Sequence, residues 1–235
     1  MTQYYRIADL LVAMDSFGRT VRQAEPYRID NTDGIAPDIE IVSDYRSLKE
    51  RQPHLSEDDC EYLTTGGCFY RGLVKHGGMM IHSSAVVMDG RAYLFSAPCG
   101  TGKSTHTKLW LKTFGERAQI LNDDKPAVRL VDGKWYAYGT PWSGKYDINI
   151  NTRVPIGGIC VLRRGEENKI EPFGGVPAIH ALLEQTARLR TPEYMQAMLE
   201  LIDKLLRDVP VWEMECNMEP EAAMLSHKVM SENAR

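Results

Sequence analysis

What this sequence has little of narrows its class. No stretch approaches the ~18 apolar residues that a membrane-spanning helix needs, so no membrane span or membrane partner is expected. No CxxC pair occurs, and the five cysteines, at 60, 68, 99, 160 and 216, are odd in number. That argues against a disulfide framework or a zinc ribbon and fits a reduced, cytoplasmic location. Positive charge is not in excess, because 28 Lys and Arg against 32 Asp and Glu leave a formal charge of −4. A nucleic-acid binder wants a basic face, so nucleic acid is not an expected partner. A local basic pocket for phosphates stays open. The first residues, MTQYYRIADLLVAMD, carry Arg6 and Asp9 close to a short apolar run, so a secretory leader is not expected. Neither an internal repeat nor a low-complexity tract stands out.

What remains is an ordinary globular composition, 43% hydrophobic, in 235 residues. A chain of that size buries a substantial core unaided. Residues 1–48 read as short strands broken by turns. Tyr4–Val12 suits a strand or a short helix, while Tyr27–Ile29 and Ile39–Val42 suit strands around the turn-rich Asn31–Pro37. Residues 49–56 are polar, contain Pro53 and read as a link. Ser56 followed by Glu57, Asp58 and Asp59 is an N-cap signal for a helix. Gly66-Gly67 then interrupts that helix or starts a second one.

Organisation is clearest from Met79 onward. Met79–Met88 and Arg91–Ser96 are β-rich runs joined by Asp89-Gly90, a pair suited to the positive φ angles of a tight hairpin. Ser104–Phe114 has helical spacing and ends at Gly115. Gln119–Leu121 is a short strand, and Ala127–Val131 with Lys134–Tyr138 form a hairpin around Asp132-Gly133. Ile156–Leu162 is apolar throughout, as a central strand buried on both faces would be, and Lys169–Phe173 is expected to pair with it. Ala178–Leu189 and Glu193–Leu206 are helical in period, separated by Pro192. Val209–Glu215 reads as a late strand and Pro220–Met230 as a last helix. The expectation is an α/β fold: a mixed β-sheet with flanking helices around a phosphate-binding strand–loop–helix unit. A small β-rich N-terminal part, residues 1–55, would precede a nucleotide-binding unit over residues 56–235.

The strongest motif is Gly100-Thr101-Gly102-Lys103-Ser104. A glycine turn leaves backbone N–H groups free to face phosphate oxygens, and the helix after it offers unpaired N–H groups and a positive dipole end. Pro98 to Thr105 would then cradle a nucleotide, with Lys103 reaching the outer phosphates and Ser104 a magnesium ion. The full pattern asks for glycine at 97, where this chain has Ala97. The reduced pattern arises by chance in about one chain in a hundred of this length. The preceding β run and the following helical run supply the setting the motif requires.

Asp123-Asp124 follows about twenty residues after the loop, at the end of a β run. One carboxylate could hold Mg²⁺ and the other accept a proton from an attacking hydroxyl. Taken alone, such a pair is an ordinary acidic turn. His82, on the strand before the loop, is a candidate for touching metal, phosphate or substrate, and equally a satisfied core histidine. Lys145 and Arg153 are candidate phosphate clamps. Arg163 and Arg164 read as solvated just as well.

Three blocks in order carry a resemblance: Ile81-His82-Ser83-Ser84-Ala85, Ser96-Ala97-Pro98-Cys99-Gly100-Thr101-Gly102-Lys103-Ser104-Thr105, and Leu121-Asn122-Asp123-Asp124. They resemble the superfamily of HPr kinase and ATP-dependent phosphoenolpyruvate carboxykinase. Asn151-Thr152-Arg153-Val154 also looks like a carboxykinase segment that brings an arginine to the site. The likeness spans 79–162, and it departs from the family loop at Ala97 and Cys99. It implies ATP or GTP as the nucleotide with Mg²⁺ beside it. Lys103 would bind the outer phosphates, and Ser104, Asp123 and Asp124 would share the metal and the base. His82 would lie near the transferred group and Arg153 would reach the site. The chain is too short for a carboxykinase, which leaves transfer of a γ-phosphoryl group to a hydroxyl. The acceptor would be Ser in a protein or peptide, or a small molecule. A nucleotide sensor without catalysis is the alternative. Homo-oligomers are common among such kinases and are an open expectation for this chain.

Overall fold

The computed structural model describes residues 2–187 and 191–233. The chain opens with β1 (Gln3–Ile7), β2 (Leu10–Met14), α1 (Gly18–Ala24), β3 (Arg28–Ile29), β4 (Ile39–Ile41), α2 (Tyr45–Arg51) and α3 (Glu57–Val74). β5 (Gly78–Met80), β6 (Ser83–Met88) and β7 (Arg91–Ser96) lead into α4 (Lys103–Phe114). Then come β8 (Ala118–Asn122), β9 (Ala127–Val131), β10 (Lys134–Tyr138) and the long β11 (Arg153–Arg164). β12 (Lys169–Pro172), α5 (Gly175–Glu184), α6 (Pro192–Asp208), β13 (Val211–Cys216) and α7 (Pro220–Glu232) follow. Among the described residues no helix is long and apolar enough to cross a membrane.

The fold is mixed α/β, with a curled mixed sheet and helices on its flanks. The order along the large sheet is β5-β9-β10-β11-β7-β6-β8, with β13 on β11 and β12 on β13. β11 gives one edge first to β10, through Arg153–Pro155, and then to β13, through Ile159–Arg164. Its other edge runs parallel to β7. In β7, Ala92 and Leu94 join a core with α5 and α6, while Tyr93 and Phe95 join a core with α4 and α7. The same alternation puts Ile159 of β11 on one side and Cys160 and Leu162 on the other. Both faces are therefore buried, which is why these strands read as continuous apolar runs. Each large side chain so buried contributes about 1.5–3 kcal/mol. Ser226 of α7 accepts a hydrogen bond from Trp110 Nε1 of α4, at 3.0 Å, and fixes those two helices together.

β1 and β2 form a hairpin on Ala8-Asp9, whose φ angles of 53° and 62° suit a tight turn. This resolves Tyr4–Val12 as two strands. The four-stranded sheet β3-β1-β2-β4 packs Tyr5, Ile7, Val12, Ile39 and Ile41 against Phe69, Tyr70 and Leu73 of α3. Asp89-Gly90 and Asp132-Gly133 make the two expected hairpins, with positive φ at all four residues.

Four readings are corrected. The 49–56 link begins with the end of α2. Gly66-Gly67 does not interrupt α3, which runs 18 residues from its Ser56 cap. An interior glycine costs about 1 kcal/mol against alanine. At Gly66 packing requires it, since a Cβ there would lie 2.8 Å from Trp142 Cδ1. Met79–Met88 is not one strand. Ile81 and His82 carry the chain from β5, which pairs with β9, to β6, which pairs with β7 and β8. Lys169–Phe173 does not pair with Ile156–Leu162, because the crossover through α5 and α6 inserts β13 between them. Of the expected helix Ala178–Leu189, α5 covers the part to Glu184, and residues 188 and 189 lie outside the described residues.

One buried charge sits under the small sheet. Glu61 of α3 is fully buried, takes the Thr20 hydroxyl on one oxygen and has no partner on Oε1. Burial pushes its carboxyl up to about 7, against the pull of the Thr20 hydroxyl and the Phe17 amide. Between the ordinary value of 4.5 and about 7 the folded chain holds more protons than the unfolded one, so stability falls as pH rises through that window. Each unit of separation is worth about 1.4 kcal/mol. Urea unfolding at pH 5 and pH 8 is expected to show this loss in the wild type and a flatter profile in Glu61→Gln. Equal pH dependence in the two proteins would contradict the assignment.

Candidate functional site

β7 is doubly buried and ends at Ser96, so the chain leaves the sheet abruptly. The loop from Ala97 turns through Gly100, at φ 79°, and Gly102, at φ 126°, values that side-chain-bearing residues rarely adopt. Gly102 caps α4, and the first intrahelical bond there runs from His106 N to Gly102 O. The amides of Lys103, Ser104 and Thr105 thus point out of the helix start. No side chain caps that end, and no acidic residue lies in its first turn. Pro98, Cys99, Gly100 and Thr105 are exposed, whereas Lys103 is buried. The Lys103 ammonium donates to the Ala97 carbonyl at 2.9 Å. Burial lowers its pKa, against the raising influence of Cys99, Asp124 and Asp123.

The two acids sit where β8 ends, and Asn122 shapes that ending. Its Oδ1 accepts from the amides of Asp124 and Lys125, at 3.0 and 2.8 Å, while its Nδ2 donates to Thr140. Such side-chain-to-backbone bonds let asparagine build a turn. Asp123 is buried and accepts from Ser84 Oγ at 2.6 Å. Ser84 Oγ also lies 2.7 Å from Thr107 Oγ1 of α4. A three-member polar bridge therefore ties the first acid to the helix that starts at the glycine loop.

Asp124 faces a different set. His82 Nε2 lies 3.2 Å from its Oδ1, and Lys125 pairs with its Oδ2. Burial would raise its pKa, but the bond to His82 and the Lys125 charge outweigh that and hold the carboxyl below the usual range. His82 is fixed at both ends. Its amide donates to Gln185 O at 2.7 Å, its Nδ1 lies 3.1 Å from Gln185 Oε1, and its carbonyl accepts from Ser96 Oγ at 3.0 Å. The broken strand at 81–82 is thus what turns this histidine towards Asp124.

The structure does not bring Arg153 to this group. Arg153 begins β11, which runs parallel to β7, so it lies at the end of the sheet away from the glycine loop. Its guanidinium pairs with Asp9 at 2.7 Å and covers the ring of Tyr136. Arg163 pairs with Glu213. Arg164, at the loop end of β11, donates from Nε to Thr101 O at 3.1 Å and from its terminal nitrogen to Gly100 O. Lys145 is exposed, and both it and Lys108 of α4 stand against the ring of Tyr146. The turn bearing Lys145 therefore lies beside α4.

Sequence reasoning missed Ser84, Thr107, Lys125, Gln185 and the role of Arg164. Ser84 lies inside the Ile81–Ala85 block and Lys125 directly follows Asp124, so both could have been raised from position. Thr107 carried a weak signal, one turn after Lys103. Gln185 carried none, because it reaches His82 across 103 residues of sequence. No group of three or more His, Cys, Asp or Glu among the described residues is placed to hold a metal by itself.

No family model matches the chain, and no curated protein matches it. Among solved structures it is similar to the HPr(Ser) kinase/phosphatase from Coxiella burnetii, at a TM-score of 0.39 and 12% identity. That alignment covers 65% of this chain and 98% of the other.

The bridge to Asp123 has a measurable consequence. Ser84→Ala leaves a buried carboxylate without its hydroxyl donor, which costs about 1–3 kcal/mol. The expected result is a lower urea midpoint at pH 7. An unchanged midpoint would mean that Ser84 does not hold Asp123.

Proposed function

We propose that the loop Pro98–Thr105 holds the phosphates of ATP or GTP and that the chain transfers the γ-phosphoryl group to a hydroxyl acceptor. The observation that carries this is the convergence of Lys103 and the Asp123-Asp124 pair on one helix start, through the Thr107–Ser84–Asp123 bridge. The loop and α4 amides would receive the phosphate oxygens, and the Lys103 ammonium would leave the Ala97 carbonyl for the outer phosphates. Arg164 would brace the loop by holding two of its carbonyls.

The hydroxyl of Ser104 and the carboxylates of Asp123 and Asp124 are hard oxygen donors, of the kind magnesium takes beside phosphate oxygens and water. A magnesium ion there would neutralise the charge that develops on the phosphates. The surroundings divide the two acids. Asp123, buried and tied to α4, suits the metal. Asp124, held ionised and oriented by His82, suits the acceptor's hydroxyl proton. The division into residues 1–55 and a nucleotide-binding unit over 56–235 belongs to the same proposal. Lys145 is retained as a candidate clamp, and Arg153 is not.

A second reading is nucleotide binding without transfer. Ala97 and Cys99 depart from the resembled loop, and the Lys103 ammonium rests on the loop's own carbonyls.

Titration calorimetry with MgATP and MgGTP separates these readings when joined to a γ-phosphate transfer assay on serine peptides and small alcohols. Lys103→Met is expected to weaken binding at least tenfold. Asp124→Asn is expected to keep binding and to lower transfer by about 100-fold or more, the scale of a lost general base. No uptake of either nucleotide would end both readings, and binding without transfer would leave the second.

A further inference from the structure

Beside Lys125 the surface opens into a slot of about 210 Å³. Its walls are Tyr62, Gly66, Gly67 and Tyr70 of α3, with Trp142 and Met80. None of the glycine-loop residues lines it. The walls are rigid. Trp142 stacks on Phe69 at 4.9 Å between ring centroids, and its Nε1 donates to Thr65 Oγ1 at 3.2 Å. Tyr70 donates its hydroxyl to the Lys125 carbonyl at 2.5 Å, so the wall is bonded directly to the Asp124-Lys125 segment. The Tyr62 hydroxyl accepts from the Gly144 amide. With these polar atoms engaged, the walls present mainly ring faces and bare backbone, and the two cationic side chains at the slot are directed to other partners, Arg71 to Cys68 Sγ and Lys125 to Asp124.

Gly67 adds an independent observation. Unlike Gly66, it is not required by packing within the chain. A Cβ there would meet only the end of the Arg71 side chain, at 3.4 Å, and its φ is not in the left-handed region. The chain forgoes the helix stabilisation that alanine would bring, and the bare backbone at Gly67 widens the slot beside the end of Arg71. A cavity on the order of 150 Å³ already admits benzene. The slot continues at the surface onto Leu63, which is 45% exposed. That suits an occupant carried on a chain lying across α3.

We infer that this slot is the acceptor subsite: it receives a bulky apolar side chain, aromatic or leucine, next to the phosphorylated serine of a peptide. The identity of the occupant rests on the proposed phosphotransfer, whereas the slot itself is tested without nucleotide. Saturation-transfer NMR on the full chain would compare N-acetyl-leucinamide and N-acetyl-phenylalaninamide with N-acetyl-glycinamide. The first two are expected to bind and the third not. Gly67→Val is expected to weaken binding at least tenfold. Gly67→Ala guards against misfolding, because it should raise Tm by about 2–4 °C while weakening binding at least threefold. No binding by the wild type, or equal binding by the stabilised Gly67→Ala, overturns the slot even if MgATP is turned over. A randomised serine-peptide library with MgATP tests the role. Phosphorylation favouring apolar neighbours, and losing that preference in Gly67→Val, supports it. Amide binding without such a preference, or with no transfer at all, removes the acceptor role and leaves a bare apolar slot.

Discussion

One lysine ammonium and two carboxylates are held at the end of a sheet whose faces are both apolar, and the rest of the site follows from that constraint. Charges in such a place are costly unless each has partners. Each has its own: Ala97 for Lys103, Ser84 with Thr107 behind it for Asp123, and His82 with Lys125 for Asp124. The sheet must curl enough to bring the β5–β6 crossing beside the end of β8. The broken strand at Ile81-His82 is the local cost of that arrangement.

The same constraint separates the two acids by surroundings rather than by sequence. Asp123 is tied inward to α4, and Asp124 is turned outward to a histidine that Gln185 and Ser96 hold in place. Positioning of this kind depends on rigid neighbours. The neighbours here are a doubly buried sheet and a wall of packed aromatic rings. Asn122 is central, since its amide side chain closes the turn that presents both acids.

α3 links the two halves of the chain. One part of its surface packs under the small sheet and buries Glu61, while another carries Tyr62, Gly66 and Tyr70 to the slot beside Lys125. Its two central glycines differ in surroundings, since a Cβ at Gly66 would meet the Trp142 ring and one at Gly67 only the end of Arg71. The helix touches both the N-terminal sheet and the segment after the acid pair, the latter through the Tyr70 hydroxyl on the Lys125 carbonyl.

By itself the sequence determined what depends on neighbours along the chain. The glycine loop, the Ser56 cap, the Asp-Gly hairpins and the apolar period of β7 and β11 are short-range properties, and each was legible. So was the order of the three motif blocks. Tertiary structure alone decided what depends on the path between elements. Arg153 looked like a site residue from its local motif, but the parallel pairing of β11 with β7 put it at the far end and put Arg164 at the loop. β12 looked like the partner of β11 until the crossover placed β13 between them. Gln185 reached His82, and Gly66 met Trp142, across separations that no local pattern encodes. Strand order and side-chain contact are set by how buried surfaces fit together in space, and a linear pattern records which surfaces are apolar without recording which of them meet.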